Sequence, residues 1–402
     1  MSGSILRKTL APGGVARAPA AGARGVLAAL TLTALTALPA LPMSAAAQTG
    51  NPLAAASHAG MAQPVATHSV AAQPVAASAA THPGATAPLA VLTKQRIADA
   101  WYAHNAVLMM LGAADHVVAT VARPDALPWM FHVAPDLARA QHIDGATMNA
   151  ETLLRAQADV VFVTSGDPSA AALRRAGLDV VPVGFTDFAS MLRCIDLSAA
   201  TLGTPLARQR AQAYRAYLDA ALAEQDARTA TVPLAQRPRV LHVASIEPLK
   251  IDGADTIVDQ WIRTAGGRNA ATGLKGNLQP VSIEQVLAWA PDIIILASNA
   301  GQLATSRQAA LWNSLDAVRR HRIYRNPAGV FPWDRYGPEL ALQLSWAAGV
   351  VSGKPLPEAD MVRRTRDFYA RFFAYDLSPA DARRMLAGLP PGAPEPAQAS
   401  TR

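Results

Sequence analysis

The side chains able to do chemistry gather in a few short stretches of this chain. Trp101, Tyr102 and His104 stand together, and Arg123 precedes Trp129, Phe131 and His132. Ser165, Gly166 and Asp167 form a third group, Ser245, Glu247 and Lys250 a fourth, and Phe331, Trp333, Asp334 and Arg335 a fifth. Aromatics are only 5% of the residues, so their gathering beside prolines is informative. Trp, Tyr and Phe offer wide stacking area at small entropic cost. Arg and Lys neutralise an anion, Arg through a planar fork. Imidazole from His104, His116, His132 or His142 suits a transition metal. These types together suit a planar or aromatic metal chelate. The competing role is structural, in which Trp129 and Trp333 plug the ends of a core.

The elements that must position these groups alternate. Continuous β-branched runs at Val117–Val121, Val160–Thr164, Val180–Val183, Val240–Ala244 and Ile293–Ala297 read as strands buried on both faces. Helical patterns lie between them, as at Asn105–Gly112, Ala150–Ala156 and Ile283–Ala290. The alternation predicts an α/β fold with mostly parallel sheets. It breaks once, at a helix expected from Pro205 to about Arg228, with Leu206, Ala213, Tyr217 and Leu218 as its apolar stripe. The organisation expected is an N-terminal α/β lobe over 91–204, a bridging helix and linker over 205–236, and a C-terminal α/β lobe over 237–390. Residues 391–402 are expected to be a disordered tail.

An internal repeat supports two similar lobes. Asn149-Ala-Glu151 opens a short helix that leads to Asp159 and a buried strand, and Ser282-Ile-Glu284 leads in the same spacing to Asp292 and another. Asn and Ser are good helix N-caps, and a first-turn Glu suits the positive helix end.

The net charge of +7 invites a nucleic-acid reading. More than half of it lies in 1–47, where Arg7, Lys8, Arg17 and Arg24 precede an apolar run from Val26 to Leu41 and a small-residue stretch, Ser44–Gln48. That order marks a signal peptide, so the expected location is the periplasm and no nucleic-acid partner is expected. Residues 48–90, rich in Ala and Pro, read as a disordered tether. The single cysteine, Cys194, excludes a disulfide framework and stands far from any lipid-anchoring position. Gly-x-Ser-x-Gly and phosphate-loop motifs are absent, which argues against an enzyme.

The order and spacing of these features resemble the periplasmic substrate-binding proteins of ABC importers for iron-siderophores, haem and vitamin B12. The resemblance rests on the two Glu-helix-Asp-strand units, the bridging helix, Gly329-Val-Phe-Pro-Trp-Asp334 and Phe368–Ser378. It implies a monomer that holds a ligand between the lobes, at loops following strand ends. The expected ligand residues are then Trp101, Tyr102, His104, Arg123, Trp129, Phe131, His132, Glu247, Lys250, Trp333 and Arg335. The resemblance also implies that Glu151 and Glu284 dock onto the importer's membrane subunits. The expected cargo is a ferric chelate, with no resident cofactor and no protein metal site. Cobalamin or haem is the alternative, bare divalent metal follows, and an exported hydrolase comes last.

Overall fold

The computed structural model describes residues 96–145 and 148–396. The signal peptide expected over 1–47, the tether over 48–90 and residues 397–402 lie outside them. Among the described residues, no helix is long and apolar enough to cross a membrane.

The first half runs β1 (Ile97–Asp99), α1 (Tyr102–Met110), β2 (Val117–Thr120), α2 (Pro128–Val133), β3 (Gln141–His142), α3 (Ala150–Arg155), β4 (Val160–Thr164), α4 (Ala170–Arg175), β5 (Val180–Val183) and α5 (Phe188–Leu202). Its strands form one parallel sheet in the order β3-β2-β1-β4-β5. Then α6 (Pro205–Thr229) crosses to the second half. There follow β6 (Arg239–Ser245), β7 (Lys250–Ile251), α7 (Ile257–Thr264), β8 (Arg268–Asn269), β9 (Gln279–Pro280), α8 (Ile283–Trp289) and β10 (Ile293–Leu296). The chain ends with α9 (Ala309–Asn313), α10 (Asp316–Arg319), β11 (Ile323–Arg325), α11 (Leu340–Ser352), α12 (Glu358–Phe373) and α13 (Pro379–Leu386). The second sheet has the order β11-β10-β6-β7-β9, with β8 also on β6. It is mixed, because the two-residue β7 runs antiparallel to both β6 and β9.

The 25-residue α6 begins as its sequence dictates, with the Thr204 side chain accepting from the Ala207 N–H and Pro205 in the first turn. At 1.5 Å per residue it reaches roughly 37 Å. Its buried stripe is Ala207, Ala211, Tyr214 and Leu218, spaced at helical period. Leu206, expected in that stripe, is instead 45% exposed. Ala213 and Tyr217 are half-buried against the core. The largest apolar cluster runs from the first lobe through α6 into the second, so the bridge is packed on both sides rather than hung between them. Such packing restricts how far the lobes can rotate.

Of the tail expected from residue 391, the described part, 391–396, is tied to α13. Arg383 holds Glu395 at 2.6 Å, and the Arg384 guanidinium donates to the Ala393 carbonyl. The turn before it closes the first lobe, because the Trp129 indole N–H donates to the Leu389 carbonyl at 2.8 Å. Trp129 is buried and belongs to the apolar core. Replacing it by alanine is expected to cost about 3 kcal/mol of stability. Urea unfolding with ligand titration checks this: the midpoint falls while the dissociation constant stays put.

Candidate functional site

The carboxyl ends of the parallel strands carry the polar and aromatic groups, as open sheets of this kind arrange. Trp101 follows β1 and Phe185 follows β5, and both meet Tyr336 from the second lobe. Trp101 lies 5.6 Å from Tyr336 and 5.6 Å from Phe185 between ring centroids, and Phe185 lies 5.5 Å from Tyr336. These are tilted and edge-on contacts within the attractive range of aromatic pairs. They bring the two lobes together over the ends of β1 and β5.

Trp101 is aimed from below. The Asp99 carboxylate accepts from the Trp101 backbone N–H at 3.1 Å and contacts His104 Nδ1 at 3.1 Å. The His104 ring lies parallel to the indole. His104 Nε2 reaches Ser198 Oγ at 2.8 Å, and that hydroxyl donates to the Cys194 carbonyl. Asp, His and Ser thus line up as in a hydrolytic triad. All three are wholly buried and the serine proton is committed to a backbone carbonyl, so no substrate reaches them. Burial raises the Asp99 carboxyl, against the charge and hydrogen bond of His104. His104, expected at the ligand, is therefore a support beneath Trp101.

A cavity of about 460 Å³ opens in the first lobe, at the ends of β2 and β3. Thr120, Arg123, Asp125, Phe131, Leu137 and His142 line it. Arg123 is half-exposed and pairs only loosely, at 3.5 Å, with exposed Asp125. Its charge also acts on the half-buried Tyr102, whose phenol burial raises. The cavity therefore offers one available cation, an apolar wall and an imidazole. Of the expected ligand residues, Arg123 and Phe131 line this cavity, Tyr102 feels the Arg123 charge, and Trp101 stands apart in the contact with Phe185 and Tyr336. His132 is exposed and packs edge-on against Trp129 and Tyr375.

The second lobe departs further from expectation. Trp333 is wholly buried, so it is core and not ligand surface. The exposed Glu247 accepts from the Arg307 N–H at 2.7 Å, and Lys250 sits in β7, half-buried. Arg335 is buried in an ionic cluster. Its Nη2 lies 3.0 Å from Asp252 Oδ2 and its Nε 3.7 Å from Asp334 Oδ2. His242 stands between the two carboxylates, at 2.7 Å from Asp252 and 2.8 Å from Asp334. The second of these contacts is close but poorly aligned as a hydrogen bond. Burial alone would raise the Asp252 carboxyl, yet Arg335 and His242 outweigh it and hold it well below the usual range. Burial would likewise lower His242, but the hydrogen bond to Asp252 and the charges of both carboxylates raise it above the ordinary range. Arg335 Nη1 is buried without a partner among the described residues.

The loop bearing these groups is clamped by Glu339. Its carboxyl accepts from the Phe331 N–H at 3.1 Å and from the Tyr369 hydroxyl at 2.5 Å, while Tyr369 accepts from the Val330 N–H. A Cβ on Gly329 would collide with both Tyr369 and Glu339, so that position requires glycine. Burial raises the Glu339 carboxyl to about 8, against the hydrogen bonds it accepts. A group whose folded pKa is raised binds its proton longer in the folded state. Stability is then fully present below its unfolded value near 4.5 and falls as pH climbs toward 8. His242 adds a loss in the same direction at higher pH, while Asp252 loses stability only in strong acid. Melting temperature should peak in mild acid and decline toward pH 8. Glu339→Gln should flatten that decline in a pH series of thermal melts.

Sequence reasoning missed Phe185, Tyr336, Asp252 and the role of His242. Phe185 stands two residues past a strand end, a signal open to use. Asp252 carries no local pattern that separates it from surface acids. Among the described residues, no group of three or more His, Cys, Asp or Glu is arranged to hold a metal ion.

Residues 97–329 match the sequence profile of the family described as "Periplasmic binding protein". The molybdate-binding protein MolA of Haemophilus influenzae is 25% identical over 122 residues, which span 30% of this chain and 35% of that relative. Its molybdate-bound crystal structure superposes with a TM-score of 0.63 at 19% identity, over 71% of this chain and 94% of that one. A periplasmic solute binding protein from Veillonella parvula gives a TM-score of 0.63 at 24% identity, over 73% and 92%. At these identities the superpositions establish the two-lobed fold.

Proposed function

We propose, from the premise that this chain belongs to the periplasmic binding protein family, that it captures a compact anionic metal chelate between its lobes and delivers it to an ABC importer. It acts by binding without turnover, in the periplasm. The carrying observation is the cavity of the first lobe at the ends of β2 and β3, with Arg123 and Phe131 on its wall. The cation suits an anionic ligand and the Phe131 ring suits a ring-bearing one, as in a ferric siderophore-type complex. The cavity falls within the usual range for small ligands, about 300–1,000 Å³.

Haem or a corrinoid is the alternative chelate, and each would meet the same cation and ring.

A molybdate-type oxyanion is the second reading. The unpartnered Arg335 Nη1 favours it, as does the relative named for molybdate. It ranks second because Asp252 and Asp334 already neutralise Arg335 and its cluster.

Arg123→Ala and Trp101→Ala should each weaken binding of the bound chelate, by about 1–3 kcal/mol. Tryptophan-quenching titrations measure this. Unchanged affinity in both variants would move the ligand elsewhere.

A further inference from the structure

The two glutamates assigned to docking stand on very short helices. The α3 helix has six residues and α8 seven. Isolated helices below about 12–15 residues do not hold themselves in water. Their aim must come from tertiary ties, and the same tie occurs in both lobes.

In the first lobe, the Arg96 N–H donates to Asp159 at 3.0 Å and the Asp159 N–H returns to the Arg96 carbonyl at 2.7 Å. The Arg96 guanidinium then caps the end of α3, donating to the Ala156 carbonyl at 2.7 Å and to that of Gln157 at 3.1 Å. In the second lobe, the Arg239 N–H donates to Asp292 at 2.7 Å and the Asp292 N–H returns at 2.8 Å. The Arg239 guanidinium donates to the Trp289 carbonyl at the end of α8 at 3.1 Å, and to Asp292. Each helix ends in a left-handed residue that is not glycine, Gln157 at φ 51° and Ala290 at φ 42°. Such residues are uncommon and persist where surrounding contacts hold them. Arg96 immediately precedes β1 and Arg239 opens β6, the strands on which β4 and β10 pair.

We propose that Arg96 and Arg239 are matched positioning residues that fix the aim of the two importer-facing glutamates. The proposal rests on the docking role given above to Glu151 and Glu284. The arginines touch neither ligand nor importer. They hold the helix ends opposite Glu151 and Glu284, so the two acids keep a fixed spacing toward a partner with two cationic sockets. The repeated Asp eight residues after each Glu, seen in the sequence, is the anchor of this brace.

The test places a photocrosslinker on the glutamate-bearing faces, as Leu154→p-benzoylphenylalanine and, separately, Ala288→p-benzoylphenylalanine, in the full chain expressed in its own cells. The parent should crosslink to the polytopic membrane subunits of an ABC importer. Arg96→Ala with Arg239→Ala should lower the yield about tenfold, the effect of ~1.4 kcal/mol of docking energy. Arg96→Lys with Arg239→Lys should fall between, since lysine keeps the charge without the fork. Trp129→Ala, which loses stability in the core, should crosslink like the parent. Parent-like yield in the arginine-to-alanine pair overturns the proposal, as does an equal loss in Trp129→Ala. Glu151→Ala with Glu284→Ala separates the two levels. If that pair also crosslinks like the parent, the docking role itself falls and takes the brace with it. If it loses the crosslink while the arginine pair does not, the brace alone falls.

Discussion

Asp252→Ala is expected to lower folding stability by about 3–5 kcal/mol, the cost of leaving a buried charge without its partner. Asp252 is wholly buried and serves three partners at once: Arg335, His242 and the Leu278 N–H. Its removal leaves two cations facing Asp334 alone. The loss should be partly recovered by Asp252→Ala combined with Arg335→Met, because replacing both members of a buried pair by apolar groups is far milder than breaking it. Urea unfolding of the two single variants and the double variant measures the coupling. A single-variant loss below about 1 kcal/mol would mean that the cluster behaves like a solvated surface pair. The cluster ties β6, the segment after β7 and the Val330–Tyr336 loop, so the variant should also loosen Tyr336 against Trp101.

The second large effect is functional. Glu151→Ala with Glu284→Ala should abolish uptake of the cargo while leaving its affinity unchanged. Both side chains are exposed and lie in the first turn of their helices, and neither lines the cavity at the ends of β2 and β3. Glu151 already has an i,i+4 ion pair with Arg155, an exposed contact that costs little to exchange for an importer arginine. Glu284, wholly exposed, is held below the usual carboxylate range by its own backbone N–H and by Ser282, so it is charged at neutral pH. Transport in cells lacking the parental chain, with binding measured on purified variants, separates the two terms. Normal uptake in the double variant would end the docking role.

Much of the scaffold was legible because burial writes itself into sequence. Val160–Thr164 and Val180–Val183 form the strands their continuous β-branched runs predict, and α6 starts at Pro205 as expected. The short β3, β7, β8 and β9 left no trace, since two residues carry no period. The mixed character of the second sheet followed from one of them. The site was read less well, for a definite reason. Residue type names what a side chain can do, while position decides whether it faces ligand or core. Trp129, Trp333 and His104 have the chemistry of ligand residues and sit in the interior, each within a loop or helix end that turns inward. Arg335 has the chemistry of an anion binder but was drawn into Asp252, 83 positions away, a pairing no local pattern announces. The repeated Glu and Asp spacing was legible as architecture, because two copies of one arrangement expose each other, and both helix–strand units it predicts are present.

The central claim is that the cleft takes a compact anionic metal chelate. Isothermal titration of the purified chain against ferric siderophores, molybdate, haem, cobalamin and bare divalent metals tests it most directly. One-to-one binding of a ferric chelate is expected, tighter than any other member of the panel and weakened by Arg123→Ala. Preferential binding of haem, cobalamin or a bare cation, insensitive to Arg123→Ala, would contradict it.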